Sequence, residues 1–146
     1  MAAGEVAPDF GPPAPHPTAG ATLVAARPPL IAFNLELAPP ATLADAKRIA
    51  AAIREGGPEG LPGVRAIGLA LEARDGVAQV SMNVEDHLAV PLARVVEAVR
   101  AHADVLEAEV IGLPPQAAFA GLPSDLPVRN RRTLEDTLAG HPGAEG

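Results

Sequence analysis

The stretch Val64–Val84, "VRAIGLALEARDGVAQVSMNV", decides how the rest of the chain is read. Two segments of alternating character, "VRAIGLAL" and "VAQVSMNV", flank Arg74-Asp75-Gly76. A period of two marks a strand with one buried face. Asp-Gly is a preferred hairpin dipeptide because such turns need positive φ at their centre. The stretch therefore reads as a β-hairpin. Its second strand sets Ala78, Val80, Met82 and Val84 against Gln79, Ser81 and Asn83. Its first strand sets Ile67, Leu69 and Leu71 on one side and Ala66, Gly68 and Ala70 on the other, with the small residues expected on the open face.

Upstream, "LIAFNLEL" at Leu30–Leu37 alternates in the same way, with Ile31, Phe33, Leu35 and Leu37 opposed to Ala32, Asn34 and Glu36. Pro39-Pro40 ends this strand. Thr42 followed three residues later by Asp45 is a variant capping box, and it opens a helix striped by Leu43, Ala46, Ile49, Ala50 and Ile53 until Gly56-Gly57. Downstream, Pro91 suits the first turn of a second helix. Leu92, Val95, Val96 and Val99 form its apolar stripe, while Arg94, Glu97 and Arg100 stay outside. "VLEAEVIGL" then gives a last strand, closed by Pro114-Pro115. Beyond it come a short helix from Gln116, a proline-rich turn, an exposed helix begun at Thr133, and an end, "GHPGAEG", expected to fray.

The order strand, helix, strand, strand, helix, strand is the split βαβ pattern. The expected fold is α+β, a ferredoxin-like βαββαβ sandwich: a four-stranded sheet with both helices on one face and an open polar face. Right-handed crossovers put the first and third strands side by side in the middle. The divisions are a proline-rich leader over 1–29, the ferredoxin-like body over 30–113, and a tail with short helices over 114–146. The leader carries "PDFGPPAPHPTAG" (Pro8–Gly20), "ATLVAA" as a short extended stretch, and a break at Arg27-Pro28-Pro29.

Half-solvated sheets usually present long charged side chains to water and need no function. Here the expected floor is Asn34, Gln79, Ser81 and Asn83 with one carboxylate, Glu36. Amides and a hydroxyl on a rigid element offer donors and acceptors in fixed positions, so these four are the candidate substrate-facing residues.

Composition narrows the classes. The net charge is −7, and Lys47 is the sole lysine. That balance opposes binding to phosphate backbones and anionic membranes. RNA-binding members of this fold stack bases on central-strand aromatics, and the matching positions hold none. There is no cysteine, so disulfides, thiol nucleophiles and thiolate metal sites are excluded. No apolar run approaches a membrane span, and the first residues lack the regions of a signal peptide. The expected setting is cytoplasmic. His16, His87, His102 and His141 show no metal-ligand spacing. No metal site and no catalytic residue is assigned.

Taken together, "PDFGP", "GATLVAARPPLIAFNLEL", "AIGLALEARDGVAQVSMNVEDH", "EVIGLPPQAAF" and "DLPVRNRRTLED" resemble the C-terminal subdomain of the glutamate formimidoyltransferase family. Ala25, where relatives often have glycine, and Pro28-Pro29, in place of a basic and aromatic pair, depart from its pattern. The resemblance implies transfer of a formimino group from formiminoglutamate to tetrahydrofolate, the folate being a co-substrate, in histidine degradation. It further implies two ferredoxin-like halves whose sheets face each other around the folate. The family's folate-contacting loop falls on Gly11, Pro12, Pro13, Ala14, Pro15, His16, Pro17, Thr18, Ala19 and Gly20. Its catalytic histidine belongs to the N-terminal half, which this sequence does not contain. An N-terminal formiminotransferase subdomain, in cis or in trans, is therefore the expected partner, the chain alone is expected to be inactive, and a homodimer stays open. The alternative is a stand-alone ferredoxin-like module that binds a small molecule or a protein without catalysis.

Overall fold

The computed structural model describes residues 7–26 and 29–140. The expected break at Arg27-Pro28 and the expected fraying from His141 onward, with His141 itself, fall outside the described residues, as do Met1–Val6. Strand β1 (Ile31–Leu37) leads into helix α1 (Leu43–Ile53) and the hairpin strands β2 (Val64–Leu71) and β3 (Val77–Val84). Helix α2 (Leu92–Arg100) and strand β4 (Val105–Ile111) complete the split βαβ pattern. The chain then adds a 3-10 turn (Gln116–Phe119), a two-residue strand β5 (Val128–Arg129) and helix α3 (Leu134–Ala139). The sheet order is β2-β3-β1-β4-β5, with β1 and β3 central as the crossover rule requires. It has five strands where the sequence suggests four. The fifth pairs parallel to β4, Val128 beside Ala108 and Arg129 beside Glu109.

Helices α1 and α3 start at capping boxes, whereas α2 follows Pro91 without a side-chain cap. The Thr42 hydroxyl accepts from the Asp45 N–H, and the Asp45 carboxylate accepts from the Thr42 N–H. Hydrogen bonds from Thr42, and then from Arg48, hold the Asp45 carboxyl down to about 2. Thr133 and Asp136 repeat the same box at α3. Between sheet and helices lies one core. Ile31, Phe33 and Leu35 from β1 and Val80 and Met82 from β3 meet Ile49 and Ile53 of α1 and Leu92, Val95, Val96 and Val99 of α2. Ala118, Phe119 and Leu126 extend that core beyond β4, so the segment after Pro115 closes the body.

One expectation about facing is reversed. Ala66 pairs with Met82, Gly68 with Val80 and Ala70 with Ala78, which places these small residues on the helix side of β2. The reason is close approach. A Cβ on Gly68 would lie 2.2 Å from the backbone nitrogen of Lys47 in α1. Small residues are what the helix leaves room for, and the large ones, Ile67 and Leu69, are turned to the open face instead.

Candidate functional site

The register of the central pair fixes what the open face carries. Asn34 lies opposite Ser81, Glu36 opposite Gln79 and Ala32 opposite Asn83. The candidate residues Asn34, Gln79, Ser81 and Asn83 thus share one face, away from Phe33 and Val80 and the helices above them. To one side, β2 adds Arg65, Ile67 and Leu69, directly across from Asn83, Ser81 and Gln79. To the other side, β4 adds Glu107, Glu109 and Ile111, across from Glu36, Asn34 and Ala32.

A charge cluster that sequence reading did not assemble occupies the β1–β4–β5 side. Glu36 is fully buried although it sits on the open face. Two guanidiniums cover it. Arg129 of β5 donates to its Oε1, and Arg74, from the loop joining β2 and β3, reaches its Oε2 at 3.1 Å. Both arginines also meet Glu107, Arg74 by donating to Oε1 and Arg129 with Nε at 3.1 Å. Arg129 Nη1 lies 3.4 Å from Glu109 Oε1. Glu109 in turn accepts from the Asn34 amide at 3.3 Å and from the Asn130 amide at 3.3 Å. Burial raises the Glu36 carboxyl above its ordinary value and Glu107 adds to the rise, while Arg129 and Arg74 oppose it.

The β3–β2 side differs. Gln79 is 3% exposed, and its Nε2 is shut from water with no acceptor among the described residues. Beside it, Ile67 is 57% exposed and Leu69 37% exposed. An unpaired buried amide costs roughly 1–3 kcal/mol, so this side retains unspent hydrogen-bonding capacity next to apolar surface.

The leader lies apart from this face in character. Every described residue from Ala7 to Ala26 is exposed. Gly11–Gly20 contains one ordered device: His16 and Gly20 exchange backbone hydrogen bonds at 3.0 and 2.9 Å. The imidazole folds back so that Nδ1 accepts from the Ala19 N–H at 3.2 Å and the Thr18 N–H at 3.4 Å. That arrangement requires the tautomer with its hydrogen on Nε2. The other described histidines are not on strands of the sheet. His102 pairs with Glu59 at 2.9 Å, and His87 lies in the loop before α2. Among the described residues no group of three or more His, Asp or Glu side chains is placed to hold a metal ion, and no helix is long and apolar enough to cross a membrane.

The sequence matches the family described as "Formiminotransferase domain" over residues 32–120, from β1 through the 3-10 turn after β4. The chain belongs to this family. It is 43% identical over 118 residues to the glutamate formimidoyltransferase of Streptococcus pyogenes serotype M1, covering 77% of this chain and 38% of that protein. It is 44% identical over 113 residues to the formimidoyltransferase-cyclodeaminase of Gallus gallus, covering 74% of this chain and 20% of that one. The glutamate formimidoyltransferase of Thermoplasma acidophilum is 36% identical over 119 residues, with 77% and 37% covered. The formiminotransferase family is one of transferases, and this chain spans less than two fifths of the length of these relatives.

Proposed function

We propose that the chain is the folate-facing C-terminal half of a glutamate formimidoyltransferase, acting in the cytoplasm in histidine degradation. The reaction passes a formimino group from N-formimino-L-glutamate to tetrahydrofolate. The open face carries this reading: a rigid sheet surface on which an unpaired amide, a hydroxyl and exposed aliphatic side chains adjoin a closed charge cluster. Asn34, Gln79, Ser81 and Asn83 line the floor of the cleft, and Gly11–Gly20 closes over the folate from the leader. Proline-stiffened backbone suits that second task, because less conformational entropy is lost when it is ordered.

The chemistry explains why half a cleft is not enough. A nitrogen of tetrahydrofolate attacks the formimino carbon, the bond from that carbon to the glutamate nitrogen breaks, the attacking nitrogen loses a proton and the departing one gains it. A group placed to accept and return that proton typically contributes a factor of about 10² to 10⁴. The open face offers amides, a hydroxyl and carboxylates already held by arginines, and no described histidine lies on its strands. The acid/base group is supplied by an N-terminal formiminotransferase subdomain docking its own sheet over this one, in cis or in trans.

The test follows formation of formimino- or methenyl-tetrahydrofolate by absorbance, with the 146-residue chain alone and with an added N-terminal half. No turnover alone and turnover in the mixture is the expected outcome. Robust turnover by the chain alone would overturn the reading and make His16 and His87 the first residues to replace.

A further inference from the structure

Strands β4 and β5 run parallel and then separate. Each is followed by a residue in the left-handed region, Gly112 at φ 90° after Ile111 and Asn130 at φ 56° after Arg129. Two parallel chains that turn away at their carboxyl ends leave a gap between them. Here the gap is a groove of about 460 Å³, within the size range of small-molecule sites, roughly 300–1,000 Å³. One wall is Ile111 and Leu113. The other is Asn130, Arg131 and Arg132.

The two arginines set its chemistry. In a chain of net charge −7 most arginines are spent on carboxylates: Arg48, Arg65, Arg74, Arg94, Arg100 and Arg129 all pair with acids. Arg131 and Arg132 have no acidic partner among the described residues. Arg131 is instead steadied over the Phe119 ring, its guanidinium carbon 5.1 Å from the centroid, a contact that positions a cation without neutralising it. The nearby acids are engaged elsewhere. Glu109 binds Asn34, Asn130 and Arg129, Glu135 accepts from the Gln116 N–H, and Asp136 caps α3.

We infer that this groove binds the carboxylates of a glutamyl group, the guanidiniums of Arg131 and Arg132 taking the charge while Ile111 and Leu113 receive the methylenes. Guanidinium groups match carboxylates in a planar, two-point fashion that lysine does not, and a glutamyl chain combines carboxylates with a short apolar stem. The inference rests on the proposed function for its ligand, since both partners in that reaction carry glutamate: N-formimino-L-glutamate itself and the tail of the folate. Ile111 is also on the open face, so the groove opens at the edge of the proposed cleft.

The experiment titrates the 146-residue chain by calorimetry with pteroic acid (which has no glutamate), pteroyltriglutamate and N-formimino-L-glutamate, alongside the double variant R131Q/R132Q. Circular dichroism checks that the variant stays folded. At least one glutamyl ligand should bind about tenfold more weakly to the variant, each tenfold being about 1.4 kcal/mol, and its binding should weaken with added salt. Pteroic acid, which keeps only its benzoate carboxylate, should lose less affinity than the glutamyl arms. Which glutamyl arm responds identifies whether the groove serves the folate tail or formiminoglutamate. Unchanged affinity for both arms, or no binding of either at millimolar concentration, overturns the inference. Pteroic acid binding with arginine-independent glutamyl arms leaves the proposed function standing and removes the groove. Arginine-dependent binding of the glutamyl arms without any pteroic acid binding does the reverse.

Discussion

The two sides of the open face belong to one five-stranded sheet and behave as different materials. On the β1–β4–β5 side, Glu36, Glu107 and Glu109 are answered by Arg74 and Arg129, and the asparagine amides of residues 34 and 130 complete the set. On the β3–β2 side, Gln79 has a buried donor with no acceptor and Ile67 and Leu69 stand exposed. The first side is knit by ion pairs that tie the β2–β3 loop and β5 to the sheet, although Glu36 Oε2 and Arg129 Nε are buried there without a hydrogen-bond partner among the described residues. The second has kept polar and apolar capacity for something else. Polarity alone does not mark a binding surface: the charges on the most charged part of the face are paired with one another.

Removing Arg129 is the strongest way to break this division. With Arg129→Ala, Glu36 loses one of the two guanidiniums that cover it and keeps Arg74 as its one remaining cation, and β5 loses its side-chain tie to β1 and β4. Deleting one partner of a buried pair costs about 3–5 kcal/mol. Because the Arg129 side chain is 33% exposed, the expected loss is about 3 kcal/mol, read as a lower midpoint in urea unfolding. A loss within 0.5 kcal/mol would show that the cluster is ornamental and that the two sides do not differ as described. Gly68→Ala comes next and probes the underside of the other half. Its Cβ would collide with the α1 backbone at Lys47, and overpacking of that kind costs about 1–3 kcal/mol. A neutral result would return Gly68 to the open face.

The βαββαβ order was legible because every element announces its own boundary: Pro39-Pro40, the Thr42–Asp45 box, Gly56-Gly57, Asp75-Gly76 and Pro91. The facing of β2 was not, and the cause is local. A two-residue turn at Asp75-Gly76 would pair Arg74 with Val77 and so bring Gly68 opposite Asn83, on the open face. In the structure Leu71 pairs with Val77 across a longer loop, a 3-10 turn at Glu72–Arg74 followed by Asp75 and Gly76 with positive φ. That change of register inverts every side chain of the strand. The charge cluster was half legible. Glu107 and Glu109 alternate with the buried Ala108 and Val110 as a polar face should, but β5 is two residues long and follows Pro127, and neither periodicity nor propensity marks so short a strand. Arg74 and Arg129 come from segments far apart in the chain, and only the folded sheet brings them to one carboxylate.

The smallest effect expected is also the one that separates stability from function. Gln79→Leu keeps the volume of the side chain and removes the donor that has no partner. Leaving a buried polar group unsatisfied is what costs free energy, whereas an apolar group of similar shape is neutral or favourable in the same place. The variant should therefore unfold at the same urea concentration as the parent or a slightly higher one, a gain of at most about 1 kcal/mol. If the amide is held unpaired for a ligand, the same substitution should lower turnover in the mixture with an N-terminal half even as the chain becomes no less stable, the trade that binding sites commonly show. A clear loss of stability would mean that Gln79 Nε2 finds a partner in solution. The β3–β2 side would then hold no unpaired buried donor, and a ligand above it would lose its main polar support.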